Sequence, residues 1–379
     1  MKTLALILAL AALAGCSPRA AESQPVPDSG AVEPERTYTL DEDIGEMLLV
    51  GFRGQSVDST HHLWHDLKEC HVGAVILFDY DAPTGQRGRN IKDATQVKEL
   101  CSQLRSAAPD LLIGIDQEGG YVSRLSVRHG FPRIPSAKRL AAMGDDSLRH
   151  YAALTAEMLA RAGINLNFAP VADVDVNPQC PVIGGIERSF SASERRVGCC
   201  CNLWAEEQRK RGVASCMKHF PGHGSAKGDT HKGLVDVSDT WQQLELHPYR
   251  AIPDGTMVMT AHVINRRLDP SGLPASLSPK ITSYLRDTLG FGGVIVTDDL
   301  AMGAIVNEYS FDAAIRMAVE AGADMLCLSN NGGHYDTNIV PKTVRIIKKL
   351  VSNGTVSAER IHASAERVRA LKSSLSSGK

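Results

Sequence analysis

Residues 73–115 read GAVILFDYDAPTGQRGRNIKDATQVKELCSQLRSAAPDLLIGI and contain two short apolar runs, at 73–78 and 111–115, on either side of an amphipathic stretch at 94–107. Unbroken apolar runs of this length are typical of strands buried on both faces, as in parallel sheets. The stretch between them is typical of a helix that covers one face of such a sheet. The segment therefore predicts a strand–helix–strand unit of a parallel α/β fold.

The same alternation recurs along the chain. Six further apolar runs lie at 47–52, 164–168, 214–217, 257–260, 293–296 and 325–328, and helix-like stretches lie at 147–162, 193–211, 311–321, 344–352 and 358–375. Eight such repeats predict a TIM-type (β/α)8 barrel, with one catalytic domain over residues 38–379. A doubly wound open sheet is the alternative, although no G-x-G-x-x-G follows the first run, which disfavours a dinucleotide site.

The first 37 residues differ in composition from the rest. Lys2 precedes an apolar run at 4–14, which is too short to span a membrane and is typical of a signal-peptide core. Residues 13–16 read LAGC, which resembles the lipobox whose cysteine becomes the acylated first residue of a bacterial lipoprotein. We therefore expect a signal peptide at 1–15, lipidation of Cys16 and a flexible tether at 16–37. An ordinary secretory signal cleaved near Gly15 is the alternative.

These features predict an exported protein that a lipid anchors to a bacterial membrane in the cell envelope, and Ser17 after the cysteine favours the outer membrane. The formal net charge is −2 and no block of Lys or Arg occurs, so no nucleic-acid partner is expected. No C-x-x-C pair is present, so a zinc ribbon is not expected either. The protein is expected to be a monomer.

Charged residues and histidines follow five of the eight predicted strands. They are Asp116, Glu118 and Arg124 after the third run, Asp173 and Asp175 after the fourth, Lys218, His219 and His223 after the fifth, His262 after the sixth, and Asp298 and Asp299 after the seventh. Catalytic residues of (β/α)8 barrels lie at the C-terminal ends of the strands. The sequence therefore predicts one polar pocket at the mouth of the barrel.

Two reaction classes fit these residues. Metal-assisted hydrolysis could use His219, His223, Asp229 and His231 as ligands, although Pro221 and Gly222 prevent the helical spacing of H-E-x-x-H sites. Glycoside hydrolysis needs a carboxylate nucleophile and a group that protonates the leaving oxygen. It also needs groups that hold sugar hydroxyls, which here would be Asp116, Arg124, Arg188 and Lys218.

Four segments together resemble the signature of bacterial β-N-acetylglucosaminidases in glycoside hydrolase family 3. They are 218–224 (KHFPGHG) followed by 229–231 (DTH), 116–120 (DQEGG) with Arg124, 186–190 (IERSF), and 296–302 (VTDDLAM). The segments occur in the family's order, and the resemblance extends from about residue 44 to the last predicted helix. The family is built on a TIM-type barrel, which agrees with the pattern of apolar runs.

The resemblance implies a retaining reaction through a covalent glycosyl-enzyme on Asp298, with His231 as the acid/base and Asp229 orienting it. The implied sugar contacts are Asp116, Arg124, Arg188, Lys218 and His219. No metal or organic cofactor is implied. The implied partner is a glycan that contains N-acetylglucosamine, either a muropeptide or a chitooligosaccharide. A non-catalytic, cell-wall glycan-binding lipoprotein on the same barrel is the alternative.

Three further expectations concern the surroundings of these residues. The glycines at 222, 224 and 228 predict a mobile segment that brings His231 to the glycosidic bond. His223 is expected to shape the loop through a hydrogen bond. Asp299 is expected to point away from Asp298 and to support it, because successive side chains of a strand alternate.

Overall fold

The computed structural model describes residues 37–376. The predicted signal peptide, Cys16 and all but the last residue of the predicted tether lie outside this part of the chain. Among the described residues, no helix is both long and apolar enough to cross a membrane.

Eight parallel strands form one sheet. They are β1 Leu48–Gly51, β2 Ala74–Leu77, β3 Leu112–Ile115, β4 Leu166–Asn167, β5 Ala214–Phe220, β6 Thr256–Thr260, β7 Ile295–Thr297 and β8 Leu326–Leu328. Their order in the sheet is β7-β6-β5-β4-β3-β2-β1-β8. The two outer strands meet through a parallel bridge between Val296 and Met325, where Thr297 N donates to Met325 O at 3.1 Å. The sheet is therefore a TIM-type barrel, as predicted, and each of the eight apolar runs overlaps one of its strands.

Helices alternate with the strands. They are α1 Leu40–Glu46, α2 His62–Glu69, α3 Ala94–Ala107, α4 Ala137–Ala142, α5 Asp145–Ala162, α6 Glu194–Arg209, α7 Pro279–Ser283, α8 Gly303–Val306, α9 Phe311–Ala321, α10 Ile339–Ser352 and α11 Ala358–Ser376. Helix α3 shows why these segments are helical. Asp93 caps it by accepting from Gln96 N at 2.9 Å, and it buries Val97, Leu100 and Leu104 at a spacing of three to four residues.

Alternate residues of the strands fill the interior of the barrel. Every strand contributes to one buried apolar cluster, which includes Cys216 and Cys327. Val368, Leu371 and Leu375 of α11 belong to the same cluster. The end of the barrel that α11 covers is therefore closed by apolar side chains, and the polar residues are left to the opposite end.

Strand β5 is longer than its apolar run, which ended at residue 217. It continues to Phe220, so Lys218 and His219 lie within the strand and not after it. The pairing with β6 skips one residue, because Lys218 is opposite Met259 and Phe220 is opposite Thr260. His219 is thus the extra residue of a β-bulge, a device that redirects side chains beside active sites. The peptide bond between Lys218 and His219 is cis.

Candidate active site

The alternation of side chains along β3, β5 and β7 determines which way Asp116, Lys218 and Asp298 face. Each residue comes two positions after an inward-facing residue of its strand, namely Gly114, Cys216 and Val296. Because side chains on a strand alternate between two faces, these three polar groups form the next layer above the apolar interior. Within this layer Lys218 contacts Asp116 at 2.8 Å, which agrees with a polar pocket at the mouth of the barrel.

Asp298 is the acidic residue directly after β7. Its backbone N–H donates to Thr260 O at 2.9 Å, and its Oδ1 accepts from Asp299 N at 2.8 Å. Burial raises the pKa of Asp298, but the neighbouring imidazoles of His262, His219 and His231 outweigh burial, and the net pKa lies below its ordinary value. The carboxyl group is therefore ionised at neutral pH, as a nucleophile must be.

Asp299 supports this arrangement from behind. Its carboxylate accepts from Ala301 N at 3.1 Å, from Ser329 N at 3.0 Å and from the Ser329 hydroxyl. His262 Nε2 donates to Asp299 O at 2.8 Å, so its Nδ1 accepts from the Ser276 hydroxyl at 2.7 Å when the ring is neutral. Burial lowers the pKa of His262, which favours that neutral form. The contacts agree with the expected supporting role of Asp299.

Asp116, Lys218 and Arg124 form one charged group beside Asp298. Lys218 Nζ donates to Asp116 Oδ1 at 2.8 Å, and Arg124 Nη2 lies 3.5 Å from Asp116 Oδ2. Arg124 reaches this position because a short antiparallel pair, Gln117–Gly119 with Val122–Ser123, turns the chain back after β3. Burial raises the pKa of Asp116, but Lys218 and Arg124 lower it by more, so the carboxylate stays charged.

Glu118 and Arg188 form a buried ion pair next to this group. Arg188 Nε and Nη2 each donate to one carboxylate oxygen of Glu118 at 2.8 Å, and Arg188 Nη1 donates to Val182 O at 2.7 Å. Lys218 Nζ lies 2.7 Å from Glu118 Oε1. Three of the donors of Arg188 are therefore used within the protein, and its predicted contact with the sugar stays a prediction.

The charge of Glu118 also bears on its chemistry. Burial raises the pKa of Glu118, but Arg188 and Lys218 outweigh burial and lower the pKa to about 2. A general acid must hold a proton at the working pH. Glu118 is therefore unsuited to be the proton donor, and its double pairing suits it to fix Lys218.

Asp173 holds the bulged segment. Its Oδ2 accepts from His219 Nδ1 at 2.7 Å, and its Oδ1 accepts from the backbone N–H groups of His219 and His223 at 3.2 and 2.7 Å. Asp173 is fully buried, and its pKa is lowered because His219 and the donated hydrogen bonds outweigh burial. The pairing through Nδ1 leaves Nε2 as the other hydrogen-bonding atom of the His219 ring.

Asp229 and His231 form a pair on the loop after β5. Asp229 Oδ1 accepts from both the backbone N–H and the Nδ1 of His231, at 2.9 and 2.8 Å. The side chain of His231 is 64% exposed and that of Asp229 is 20% exposed. A carboxylate on Nδ1 fixes the ring and leaves Nε2 to exchange protons with a bound molecule. The imidazole of His231 contributes to the lowered pKa of Asp298, so the pair lies within electrostatic reach of that carboxylate.

The glycines of this segment have a packing role that the sequence did not reveal. A side chain at Gly224 would place its Cβ 1.8 Å from Val174 O. Gly222 has a φ of +122°, and a Cβ there would lie 2.7 Å from Glu245 Cβ. His223 donates or accepts at the Thr230 hydroxyl at 3.2 Å, which is the loop-shaping contact expected of it. Close approach therefore explains Gly222 and Gly224, whereas the mobility of the segment stays a prediction.

The histidines and acids of the site are held in pairs. His219 is bound to Asp173, His223 contacts Thr230, and His231 is bound to Asp229. Within residues 37–376, no three His, Cys, Asp or Glu side chains are grouped as a metal site requires. Of the four residues considered as metal ligands, Asp229 and His231 contact each other, whereas His219 and His223 contact Asp173 and Thr230.

Three residues of the predicted polar pocket, namely Glu118, Asp173 and His262, were not assigned a catalytic or sugar-binding role from the sequence. Each follows a predicted strand, so its place at the mouth of the barrel could be predicted. The residue with which each one pairs could not. Glu118 and Arg188 are separated by 70 residues, and Asp173 and His219 by 46, and no local pattern links them.

Glu245 gives a prediction about stability. It is fully buried beneath Gly222, and burial raises its pKa to about 7 from an ordinary value of 4.5. The folded protein therefore holds a proton that the unfolded chain releases above pH 4.5, so stability falls as pH rises from about 4.5 to about 7. We expect Glu245→Gln to remove this slope and to raise the free energy of unfolding at pH 8 by roughly 2–3 kcal/mol.

Urea unfolding at pH 5 and pH 8 measures the effect. Glu99→Gln, at an exposed position of α3, serves as the matched control and should leave the pH dependence unchanged. An equal pH dependence in Glu245→Gln and the wild type would contradict the prediction.

Comparisons with known proteins agree with this geometry. The family model described as the Glycosyl hydrolase family 3 N terminal domain matches residues 39–371. A β-hexosaminidase of Pseudomonas aeruginosa is 34% identical over 272 residues, which are 70% of this chain and 77% of that protein. A β-hexosaminidase of Shewanella frigidimarina is 35% identical over 298 residues, which are 75% of this chain and 82% of that protein.

Solved structures give the same result. A family 3 β-N-acetylglucosaminidase from Paenibacillus sp. str. FPU-7 superposes with a TM-score of 0.80 at 33% identity, covering 90% of this chain and 63% of that chain. A β-N-acetylhexosaminidase from Beutenbergia cavernae superposes with a TM-score of 0.77 at 28% identity, covering 89% of this chain and 99% of that chain. The chain therefore belongs to glycosyl hydrolase family 3 and is a glycosidase.

Proposed function

We propose that this glycosidase is a retaining β-N-acetylhexosaminidase that releases terminal β-linked N-acetylglucosamine. The observation that carries the proposal is the Asp229–His231 pair beside the ionised Asp298, because a nucleophile and a proton donor are the two groups that a retaining glycosidase needs. The relatives named above are hexosaminidases and N-acetylglucosaminidases, which supports the choice of sugar.

In the first step, a carboxylate oxygen of Asp298 attacks the anomeric carbon of the sugar. The bond from this carbon to the glycosidic oxygen breaks, and the proton on His231 Nε2 passes to that oxygen. The products are a glycosyl ester on Asp298, a neutral imidazole and the released aglycone. Asp116, Arg124, Arg188, Lys218 and His219 are proposed to hold the sugar hydroxyls, because their charged or polar groups lie at the same mouth.

In the second step, the neutral His231 takes a proton from water as the oxygen of that water attacks the anomeric carbon. The ester bond breaks, and Asp298 returns to its carboxylate form. The ordinary pKa of imidazole is ~6.5, so a histidine can donate in one step and accept in the other. A neutral imidazole also avoids a second negative charge close to the departing Asp298 carboxylate.

His231→Ala tests the acid/base role. Poor leaving groups need the proton and activated aryl leaving groups do not, so we expect the variant to lose roughly 10²- to 10⁴-fold in rate on the former and much less on the latter. The measurement is the rate on aryl β-N-acetylglucosaminides as a function of leaving-group pKa, with EDTA present throughout. Asp229→Ala should show the same pattern more mildly. An unchanged dependence in His231→Ala, or loss of wild-type activity in EDTA, would refute the proposed mechanism.

The natural substrate is proposed to be a muropeptide or a chitooligosaccharide. This choice rests on the sugar named for the relatives and on the sequence resemblance to wall-processing enzymes. Release of N-acetylglucosamine from purified muropeptides and from chitobiose, compared at equal concentration, would rank the two classes.

We further propose that the enzyme is a lipoprotein of the cell envelope. The LAGC sequence at 13–16 supports the proposal, because it places a cysteine after a signal-like core. Cys16→Ser is expected to release the protein from the membrane fraction, since lipid is the only anchor proposed. Fractionation of cells that express the wild type or the variant measures this, and identical partitioning of the two would show that Cys16 is not the anchor.

A further inference from the structure

The loop that carries His231 is hydrogen-bonded to helix α8. Gly303 N donates to His231 O at 3.2 Å, and Ala304 N donates to Thr230 O at 3.0 Å. The side-chain amide of Asn307, just after the helix, donates to Lys232 O at 3.2 Å. Three successive carbonyl groups of the loop are therefore held by one short segment, which we call the loop seat, residues 303–307.

The absence of a side chain at Gly303 has a steric reason. A Cβ at this position would lie 2.6 Å from His231 O and 2.9 Å from Lys232 C. Both neighbours are backbone atoms, so the loop itself would have to move. The φ of Gly303 lies outside the left-handed region, so its own backbone would accept alanine. The three atoms nearest to such a Cβ therefore all belong to the loop that carries the proposed acid/base.

The loop seat also belongs to the segment that carries the nucleophile. Asp298 begins this segment, and Asp299 fixes it to the barrel through Ser329. Met302 N donates to Asp299 O at 3.0 Å, immediately before α8. One continuous piece of chain thus supplies Asp298 at its beginning and the donors for the His231 loop at its end. This piece therefore connects the two groups through covalent bonds and hydrogen bonds.

We propose that Gly303 and Asn307 are positioning residues that set His231 at the distance from Asp298 that proton donation requires. The proposal rests on the proposed role of His231. The hydrogen bonds act on the carbonyls of residues 230–232 and leave the His231 ring free, so they fix the loop backbone while Asp229 fixes the ring. Small displacements of a catalytic group are costly to rate, which makes such a support measurable.

The test uses Gly303→Ala and Asn307→Ala, with Gly292→Ala as the control. A Cβ at Gly292 would meet nothing within 4 Å, and its φ is outside the left-handed region. Rates are measured on aryl β-N-acetylglucosaminides that span leaving-group pKa values from about 4 to about 10, alongside His231→Ala and thermal unfolding. We expect Gly303→Ala to lose roughly 10- to 100-fold on the poorest leaving groups and only a few-fold on the best.

Asn307→Ala removes one hydrogen bond and should show the same pattern with a loss of roughly 3- to 10-fold. Asn307 is exposed, so this variant decides the question if Gly303→Ala does not fold. Gly292→Ala should match the wild type. A steeper dependence on leaving-group pKa in both variants, at an unchanged melting temperature, supports the loop seat.

Two results would overturn the proposal, and they are distinct. If His231→Ala steepens the dependence but Gly303→Ala and Asn307→Ala do not, the loop seat is wrong and the acid/base assignment stands. If His231→Ala keeps the wild-type dependence, the proposed function and the loop seat both fail. An equal loss on all substrates in the two loop-seat variants would show a structural effect only and would also overturn the proposal.

Discussion

Replacing Asp298 with alanine is expected to lower kcat by roughly 10³- to 10⁵-fold, the largest effect on activity of any single change in this chain. The variant loses the oxygen that would form the glycosyl ester, while the charged groups around Asp116 and Lys218 remain to bind sugar. The fold should be little affected, because the Asp298 side chain accepts one hydrogen bond, from Asp299 N. We therefore expect KM to change far less than kcat.

Two measurements identify the nucleophile. A 2- or 5-fluoro sugar with a good leaving group should label the wild type covalently, and mass spectrometry of peptides should place the label on Asp298. Azide added to Asp298→Ala should restore turnover and give the α-glycosyl azide, since the anion attacks from the side that the carboxylate has vacated. A label on Asp299 or on Glu118 would reassign the nucleophile.

Replacing Glu118 with alanine is expected to have the largest effect on stability, about 3–5 kcal/mol. Glu118 pairs with both Arg188 and Lys218 in the interior, and its removal leaves Arg188 without its carboxylate partner and Lys218 with Asp116 alone, away from water. The pKa of about 2 expresses the same coupling, because the folded protein strongly favours the charged carboxylate. The loss of stability comes mainly from buried positive charge that has lost its partner, and the loss of apolar contact adds little.

Urea unfolding at neutral pH measures this cost. The double variant Glu118→Ala with Arg188→Met removes charge from both partners, so it should be less destabilised than the sum of the two single variants. Glu99→Ala provides an exposed glutamate as the control and should change stability by less than about 0.5 kcal/mol. A cost below about 1 kcal/mol for Glu118→Ala would mean that water reaches the pair and screens it.

The fold could be predicted because each element carries its own signal. The apolar runs gave all eight strands, since a strand buried on both faces needs apolar residues throughout. Helix α3 was predicted at its observed bounds, because its apolar stripe is regular and Asp93 marks its start. The family resemblance then added the roles of particular residues, which periodicity alone does not contain.

The site was predictable in position but not in its pairings. The acids and histidines after β3, β5 and β7 were found, because the barrel brings the ends of its strands together. The bond from Arg188 to Glu118, the bulge at His219 and the burial of Glu245 were not, since each depends on which residues meet across the fold. Arg188 illustrates this gap, because the sequence resemblance implied a sugar contact but did not reveal the bond to Glu118.

Val368, Leu371 and Leu375 of α11 close one end of the barrel with apolar side chains, and this determines how molecules enter and leave the site. Because the interior of a (β/α)8 barrel is a packed core and not a pore, substrate, water and both products must reach and leave Asp298 from the opposite end. On the proposed mechanism, the released aglycone and the incoming water share that opening, and the monosaccharide leaves by it after the ester is hydrolysed.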